Sequence, residues 1–486
     1  MHRLRVPGGA AVLLPAAVLA GLLLGQLSAD PAAGVTFSNS PFTDEAWNVM
    51  AARNAVLLGD WAAGNWALHL VQLPFTLLEA AGFALLGVGI LQARLVATLC
   101  TLASVALIGL VVGRRLGAGA GVVAGAALGS CALLLFYGRL VYIENLVLLG
   151  LAGGIAALAW RPGAASWAGA ALGGVLLAVA IGSKPLALFS VIGILAGTAL
   201  GAWSRAWTLR VLVASAVIGL AGIAWLLLIG LPNSRQIGWV REIWAQQSAP
   251  ADLGQMIGRV LSYPTAGDRA VLLSLPLSLA GIAGLGCAVL GWRALDRGQR
   301  ALAGAAMGWL VLGLGVLLVA SYRPSRYALP YLPALAVLAG FAVPVAARLL
   351  ARVPTAVARG ALAGAVAGLL IGPGLASYAG WAARTDHRAA ALQAEIAGLM
   401  AQDPRPIEGG LAPFFAMRVP VPIYVRWSSS RVNSGDLYAE EDVRWMLLTG
   451  TQHPLWADAH PEAWEGRREL GCYAWGEGRH CLLRFP

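Results

Sequence analysis

The chain has few carboxylates and almost no lysine. Of its 34 basic residues only Lys184 is a lysine, and its 486 residues carry 23 Asp and Glu, 13 of them after residue 380. Charged residues make up 12% of the sequence, about half the share of an ordinary soluble domain. That shortage excludes a soluble globular protein for most of the length. No CxxC pair occurs among the five cysteines, which removes zinc-ribbon and thioredoxin-type chemistry. Basic stripes are missing too. The net charge of +11 comes from arginines set singly between apolar runs, a topology signal rather than a nucleic-acid surface.

What is present is apolar: 59% hydrophobic residues and a mean hydropathy of +0.73. A first run at 8–29 follows Arg3 and Arg5 and is long enough to cross a bilayer. A large Leu27 stands where a signal-peptide cleavage site wants a small residue, so an uncleaved anchor is expected. Further runs lie at 90–112, 119–137, 140–160, 166–183, 186–203, 211–231, 270–292, 301–320, 328–346 and 361–379. Together they predict an all-α polytopic membrane protein of about eleven transmembrane helices. Arginines at 114–115, 161, 205, 210, 293–300 and 348–359 sort to one side if the N-terminus is cytoplasmic. The region 30–89 is too polar for a span, and its amphipathic pieces around Trp47–Leu58 and Phe75–Leu85 predict short helices lying along the membrane surface.

From Trp381 the composition turns acidic, so residues 381–486 are expected to form a small α+β domain on the extracytoplasmic side, behind a membrane domain of residues 1–380. A helix over Trp381–Gln402, stopped by Pro404, should open it. Strands are expected at Ile423–Trp427, Val443–Leu448 and 472–484, the last a hairpin broken at Gly476-Glu477-Gly478. Cys472 and Cys481 flank that hairpin, and a disulfide between them suits an oxidising compartment. Cys100, Cys131 and Cys287 fall in apolar runs and read as small core hydrophobes.

Against so apolar a background, each polar residue near membrane depth is a candidate for function. Asp44 and Glu45 follow the first span, and Arg139 and Glu144 sit in Tyr137–Asn145. Lys184 precedes the chain-breaking Pro185, and Arg323, Arg326 and Tyr327 stand in the segment Tyr322–Pro330. All fall on the side opposite the topogenic arginines. A carboxylate there could take the proton of an attacking hydroxyl, while Arg and Lys stabilise the charge on a departing phosphate.

In order and common side, Asp44-Glu45, Arg139…Glu144, Lys184 and Arg326-Tyr327…Pro330 resemble the GT-C membrane glycosyltransferases, in particular the protein O-mannosyltransferase and aminoarabinose transferase branch. The resemblance covers roughly residues 8–380. It implies an inverting transfer of one sugar from a polyprenyl-phosphate donor to a lipid, glycan or protein acceptor at the outer face of a bacterial cytoplasmic membrane. Carried onto this chain, Asp44 is the base and Glu45 orients the acceptor or sugar. Arg139, Lys184, Arg326 and Tyr327 meet the donor, and Glu144 holds Arg139 or the sugar. The resemblance makes no cofactor certain and leaves room for a divalent cation, which some relatives use. The histidine-proline-proline of many relatives is represented at most by His69 with Pro74, which leaves His69 without an assigned role.

Plainer readings compete. Asp44 and Glu45 would serve as helix-N-terminal acids, Arg139 and Glu144 as an ion pair between spans, Lys184 as a snorkelling side chain, and Trp61, Trp66, Trp239 and Trp244 as an interfacial belt. The rival from another class is a lipid or glycan transporter or flippase, whose intramembrane charges gather near the midplane of paired repeats rather than at one face.

Overall fold

A computed structural model describes residues 9–32, 35, 44–64, 68–159, 166–235, 237–238, 252, 254, 270–319, 324–425, 441–449, 457–458, 461–475 and 478–486. Each apolar run is helical within these limits. The helices are α1 (Gly9–Gly25), α2 (Glu45–Leu58), α3 (Leu73–Leu86), α4 (Ile90–Leu116), α5 (Ala118–Gly129), α6 (Ala132–Tyr137), α7 (Ile143–Ala159), α8 (Ser166–Ser183), α9 (Ala187–Gly201) and α10 (Arg205–Trp225). They continue with α11 (Ala270–Leu290), α12 (Arg297–Val319), α13 (Leu332–Ala351) and α14 (Ala356–Ala382). Among the described residues five helices are long and apolar enough to cross a membrane. The rest of the bundle uses shorter apolar helices, several broken at a polar or proline position. The run at 119–137, for example, divides at Ser130 and Cys131 into α5 and α6. Trp66, the Trp239 and Trp244 segment, Arg323, and the turn at 476–477 lie outside the described residues.

Small residues decide how closely these helices pack. Gly193 and Gly197 of α9 lie against Gly308 and Gly304 of α12, so close that a Cβ on either would meet a backbone carbonyl of the other helix. In lipid, where water drives no association, such contact is a main source of helix affinity. By contrast, α10 and α14 bury only 6% of their most apolar windows and form the outside of the bundle.

The polar loop 30–89 does form two helices, but α2 does not lie on an open surface. Its residues Glu45–Asn54 are all buried, wedged between the bundle and the C-terminal region in one apolar cluster. That cluster joins Trp47, Val49 and Met50 to Ile90, Leu146, Phe414, Phe415, Ile423 and Trp445. Amphipathicity marks an apolar face without saying what covers it, and here protein does. Gly59, in the left-handed region at φ 72°, ends the helix.

The tail also departs from its expected start. Trp381 belongs to the last turns of α14, and a separate α15 (Ala389–Met400) begins after a polar break. Asp30 causes that restart: its Oδ1 accepts from the backbone N–H of both Arg388 and Ala389 at 3.1 Å, capping α15 from a residue far away in sequence. Five strands follow: β1 (Ile407–Glu408), β2 (Ile423–Tyr424), β3 (Trp445–Thr449), β4 (Arg468–Trp475) and β5 (Gly478–Arg484). They form one sheet in the order β2-β1-β3-β5-β4, with β1 parallel to both β2 and β3 and the remaining pairs antiparallel. Among the described residues two short helices, α16 (Ala412–Phe415) and α17 (Pro461–Glu465), accompany it.

The period of two along β3 and β5 sorts side chains between two cores. Trp445, Leu447 and Leu482 join the cluster shared with α2, and Met446, Leu448 and Leu483 pack on the other face. Two-residue β1 carried too little alternation to be seen in the sequence, and Val443 and Arg444 stay outside β3. The hairpin brings Cys472 opposite Cys481, and the two form a disulfide.

Candidate active site

Five of the seven expected site residues meet at one place, drawn from four separate parts of the chain. Asp44 stands immediately before α2, Glu144 in the first turn of α7, Lys184 in the break between α8 and α9, and Arg326 and Tyr327 in the 3-10 segment Ser325–Tyr331 that leads into α13. Lys184 Nζ donates to Glu144 Oε1 at 2.5 Å. Arg326 pairs with Asp44 through Nη2, and its Nε lies 3.8 Å from the same Glu144 Oε1. Glu144 thus bridges both cations. The Lys184 ammonium also sits 3.5 Å from the centre of the Tyr327 ring, and the Arg326 guanidinium lies 5.4 Å from that of Tyr142. Aromatic faces and the buried Glu144 carboxylate hold the two positive charges where water reaches them little.

Within this cluster Asp44 is the open member: its side chain is 29% exposed, against 2% for Glu144. Although Asp44 is the N-cap residue of α2, its side chain makes no capping bond. Its carboxylate faces Arg326 instead, so the helix-cap reading of Asp44 finds no support in the geometry. Lys184 and Tyr327 also border a small cavity with an apolar wall of Val147, Leu186, Ala187 and Pro330.

Glu45 and Arg139 are placed elsewhere. Glu45 is fully buried and takes a two-pronged contact from Arg94, with Nε to Oε1 at 2.8 Å and Nη2 to Oε2 at 2.7 Å. Its Oε1 also accepts from the backbone N–H of Val141 at 3.0 Å. Arg139, equally buried, donates to the carbonyls of Ala29 and Asp30 at 2.7 and 2.9 Å and lies 4.5 Å from the centre of the Trp381 ring. Its ion pair with Glu144, one of the plainer readings, is replaced by the Glu144–Lys184 contact. Both residues brace the frame around the cluster. Arg94, which the composition argument passed over, had a signal: a lone arginine inside an apolar run requires a buried partner.

His69 stands apart. Its ring centre is 6.4 Å from that of Trp61, and burial lowers its pKa despite the opposing pull of Asp60. A neutral imidazole among loop residues matches a structural role. A divalent cation needs several oxygen ligands, but Asp44 and Glu144 are already paired with Arg326 and Lys184. Among the described residues these carboxylates leave no such ligand set around the cluster.

No family model and no curated protein sequence matches the chain. Solved structures do. ArnT from Cupriavidus metallidurans bound to undecaprenyl phosphate superposes with a TM-score of 0.67 at 18% identity, covering 98% of each chain. The same protein in its apo state gives 0.68 at 17% identity over 98% of this chain and 97% of that one. The fold is that of the GT-C glycosyltransferases. An archaeal oligosaccharyltransferase with a GT-C fold, AglB from Archaeoglobus fulgidus, shares it at a TM-score of 0.61 and 11% identity, over 94% of this chain and 71% of its own. Because the ArnT match covers nearly the whole chain, the GT-C arrangement here includes the C-terminal sheet as well as the bundle.

Proposed function

We propose that the chain is an inverting glycosyltransferase. It moves a single sugar from a polyprenyl-phosphate donor to an acceptor hydroxyl at the outer face of a bacterial cytoplasmic membrane. The observation that carries this reading is one part-exposed carboxylate, Asp44, paired with Arg326 beside buried Glu144, which holds both Arg326 and Lys184. Support for the donor class comes from the apolar wall beside Lys184, which suits an isoprenoid next to a phosphate. The ArnT structure with undecaprenyl phosphate bound supports the same class.

In the step we propose, the acceptor oxygen attacks the anomeric carbon from the face opposite the phosphate. Its proton passes to Asp44, the new C–O bond forms, and the bond from the anomeric carbon to the phosphate oxygen breaks. Polyprenyl phosphate departs with the electron pair, and the configuration inverts. Arg326 and Lys184 stabilise the charge that grows on the leaving phosphate. Glu144 holds both cations in place before the phosphate arrives and keeps their separation fixed.

The test is transfer of labelled sugar from a polyprenyl-phosphate donor by purified protein in nanodiscs. A positioned base contributes roughly 10²–10⁴-fold, so Asp44→Asn should lose turnover by that order while donor binding persists. Asn caps helices about as well as Asp, so near-normal turnover in Asp44→Asn would remove the proposed base. A transporter would instead move the donor across the bilayer and leave the sugar on it.

A further inference from the structure

We propose that the C-terminal domain is a positioning element for the reacting carboxylate, and that Arg53 is the residue through which it acts. The inference rests on Asp44 as base, but its structural half stands apart from that reading. Helix α2, which begins directly after Asp44, is held on its bundle side by Glu45 and by Asn48, whose Nδ2 donates to Val141 O at 3.1 Å. Gln72, just before α3, donates from Nε2 to Asn48 O at 2.7 Å, and the tail covers a further face of the helix. Trp47 Nε1 donates to Gly410 O at 2.9 Å. Arg53, only 1% exposed, donates from Nε to Met417 O at 3.1 Å and from Nη2 to the carbonyls of Val419 and Val421, the latter at 2.8 Å. The loop after α2 repeats the contact at Gly64, in the left-handed region at φ 80°, where any Cβ would run into the carbonyl of Ile423.

Two physical points separate Arg53 from mere packing. Burying a guanidinium is costly unless its donors are met, and among the described residues no carboxylate pairs with this one. Besides Asn54 Oδ1, which accepts from Nη1 at 2.6 Å, its partners are main-chain carbonyls whose directions depend on the path of residues 416–421 between α16 and β2. A methionine would fill similar space without reading that path. Lys184 and Arg326, in contrast, stand on elements that Arg53 does not touch. The tail is therefore coupled to the base more directly than to the donor cations.

This separation sets the test. In the full chain in nanodiscs, Arg53→Met should lower kcat for label transfer by 10-fold or more, with the donor KM within about twofold of the unmodified protein. Trp47→Phe, which removes the N–H to Gly410 and trims the buried ring, should lower kcat by a smaller factor with the same KM pattern. Arg53→Lys should recover little, since a single ammonium nitrogen cannot reproduce contacts made from three separate guanidinium nitrogens. Hydrogen exchange provides a readout besides activity. Amides of 45–58 should exchange faster in Arg53→Met, while those of α9 and α12 stay as they were. If Arg53→Met fails to fold, Trp47→Phe and Arg53→Lys carry the comparison alone. A kcat that stays within twofold in folded Arg53 and Trp47 variants, or a donor KM that rises as far as kcat falls, overturns the proposal. If the unmodified chain transfers no label, the functional reading fails instead. The exchange arm then decides the structural half: unchanged protection at 45–58 rejects it, and selective loss retains it.

Discussion

Changing Glu45 tests whether a buried carboxylate beside the site acts in the reaction or in the frame. Glu45 and Arg94 are both fully buried. Arg94 makes two contacts to the carboxylate and two more, through Nη1, to the carbonyls of Leu27 at 3.0 Å and Ala29 at 2.8 Å. Glu45→Gln keeps the shape but turns an amide N–H₂ toward one arginine nitrogen and leaves the guanidinium without its counter-charge. Breaking a buried pair in this way costs about 3–5 kcal/mol. Replacing both partners by apolar residues of similar volume removes the buried charges together and is often near neutral. Glu45→Leu with Arg94→Met should therefore lie within about 2 kcal/mol of the unmodified protein, the residual reflecting the carbonyl of Leu27 and the N–H of Val141 left without partners, since Ala29 O keeps its bond from Arg139. Denaturant titration in mixed micelles, with label transfer measured on the folded fraction, reads both quantities. Glu45→Gln should be clearly destabilised, and the double variant should recover much of the loss. If Glu45→Gln instead keeps its stability within about 1 kcal/mol while turnover drops by roughly 10²–10⁴-fold, the reasoning is refuted and the base moves one residue along.

Lys184→Met should weaken donor binding measured with a labelled polyprenyl phosphate, and Lys184→Arg should keep part of it because the charge remains while its shape changes; equal affinity in Lys184→Met removes Lys184 from the site. Gly197→Val places a branched side chain against the Gly304 carbonyl and should cost at least the 1–3 kcal/mol of ordinary overpacking, seen as a lower unfolding temperature in micelles. Reducing Cys472–Cys481 opens a link with a sequence separation of 9, for which loop entropy gives about 2–3 kcal/mol; proteolysis of the tail should accelerate with reductant. His480 is buried and its pKa is lowered by that burial. Since the unfolded imidazole then binds the proton more readily, stability conferred by the tail should be intact above the ordinary value of about 6.5 and fall as pH drops below it. His480→Phe should flatten that slope in a pH series of thermal unfolding.

Much of the bundle was legible because span length depends only on local apolarity: a run of sufficient length must close its own backbone hydrogen bonds in lipid, whatever its neighbours. The order of the polar segments was legible for the same reason. Isolated Lys184, Glu144 and Arg326 stand out against their surroundings, and the structure brings them together with Asp44 and Tyr327. Local hairpin chemistry likewise made the pairing of Cys472 with Cys481 readable. What sequence could not resolve was the division of labour between adjacent carboxylates. Asp44 and Glu45 differ by one position, but the turn into α2 points one toward Arg326 and the other toward Arg94. Arg139 shows the same limit, since its partners at Ala29, Asp30 and Trp381 come from distant parts of the chain. The cover over α2 also had no local signature: an apolar face is equally satisfied by lipid or by protein, and only the tertiary packing of residues 410–425 against Glu45–Asn54 decided between them. Composition and periodicity determine which segments leave water, while charge pairing is set by distances of a few ångströms between elements whose separation in sequence carries no information about their approach in space.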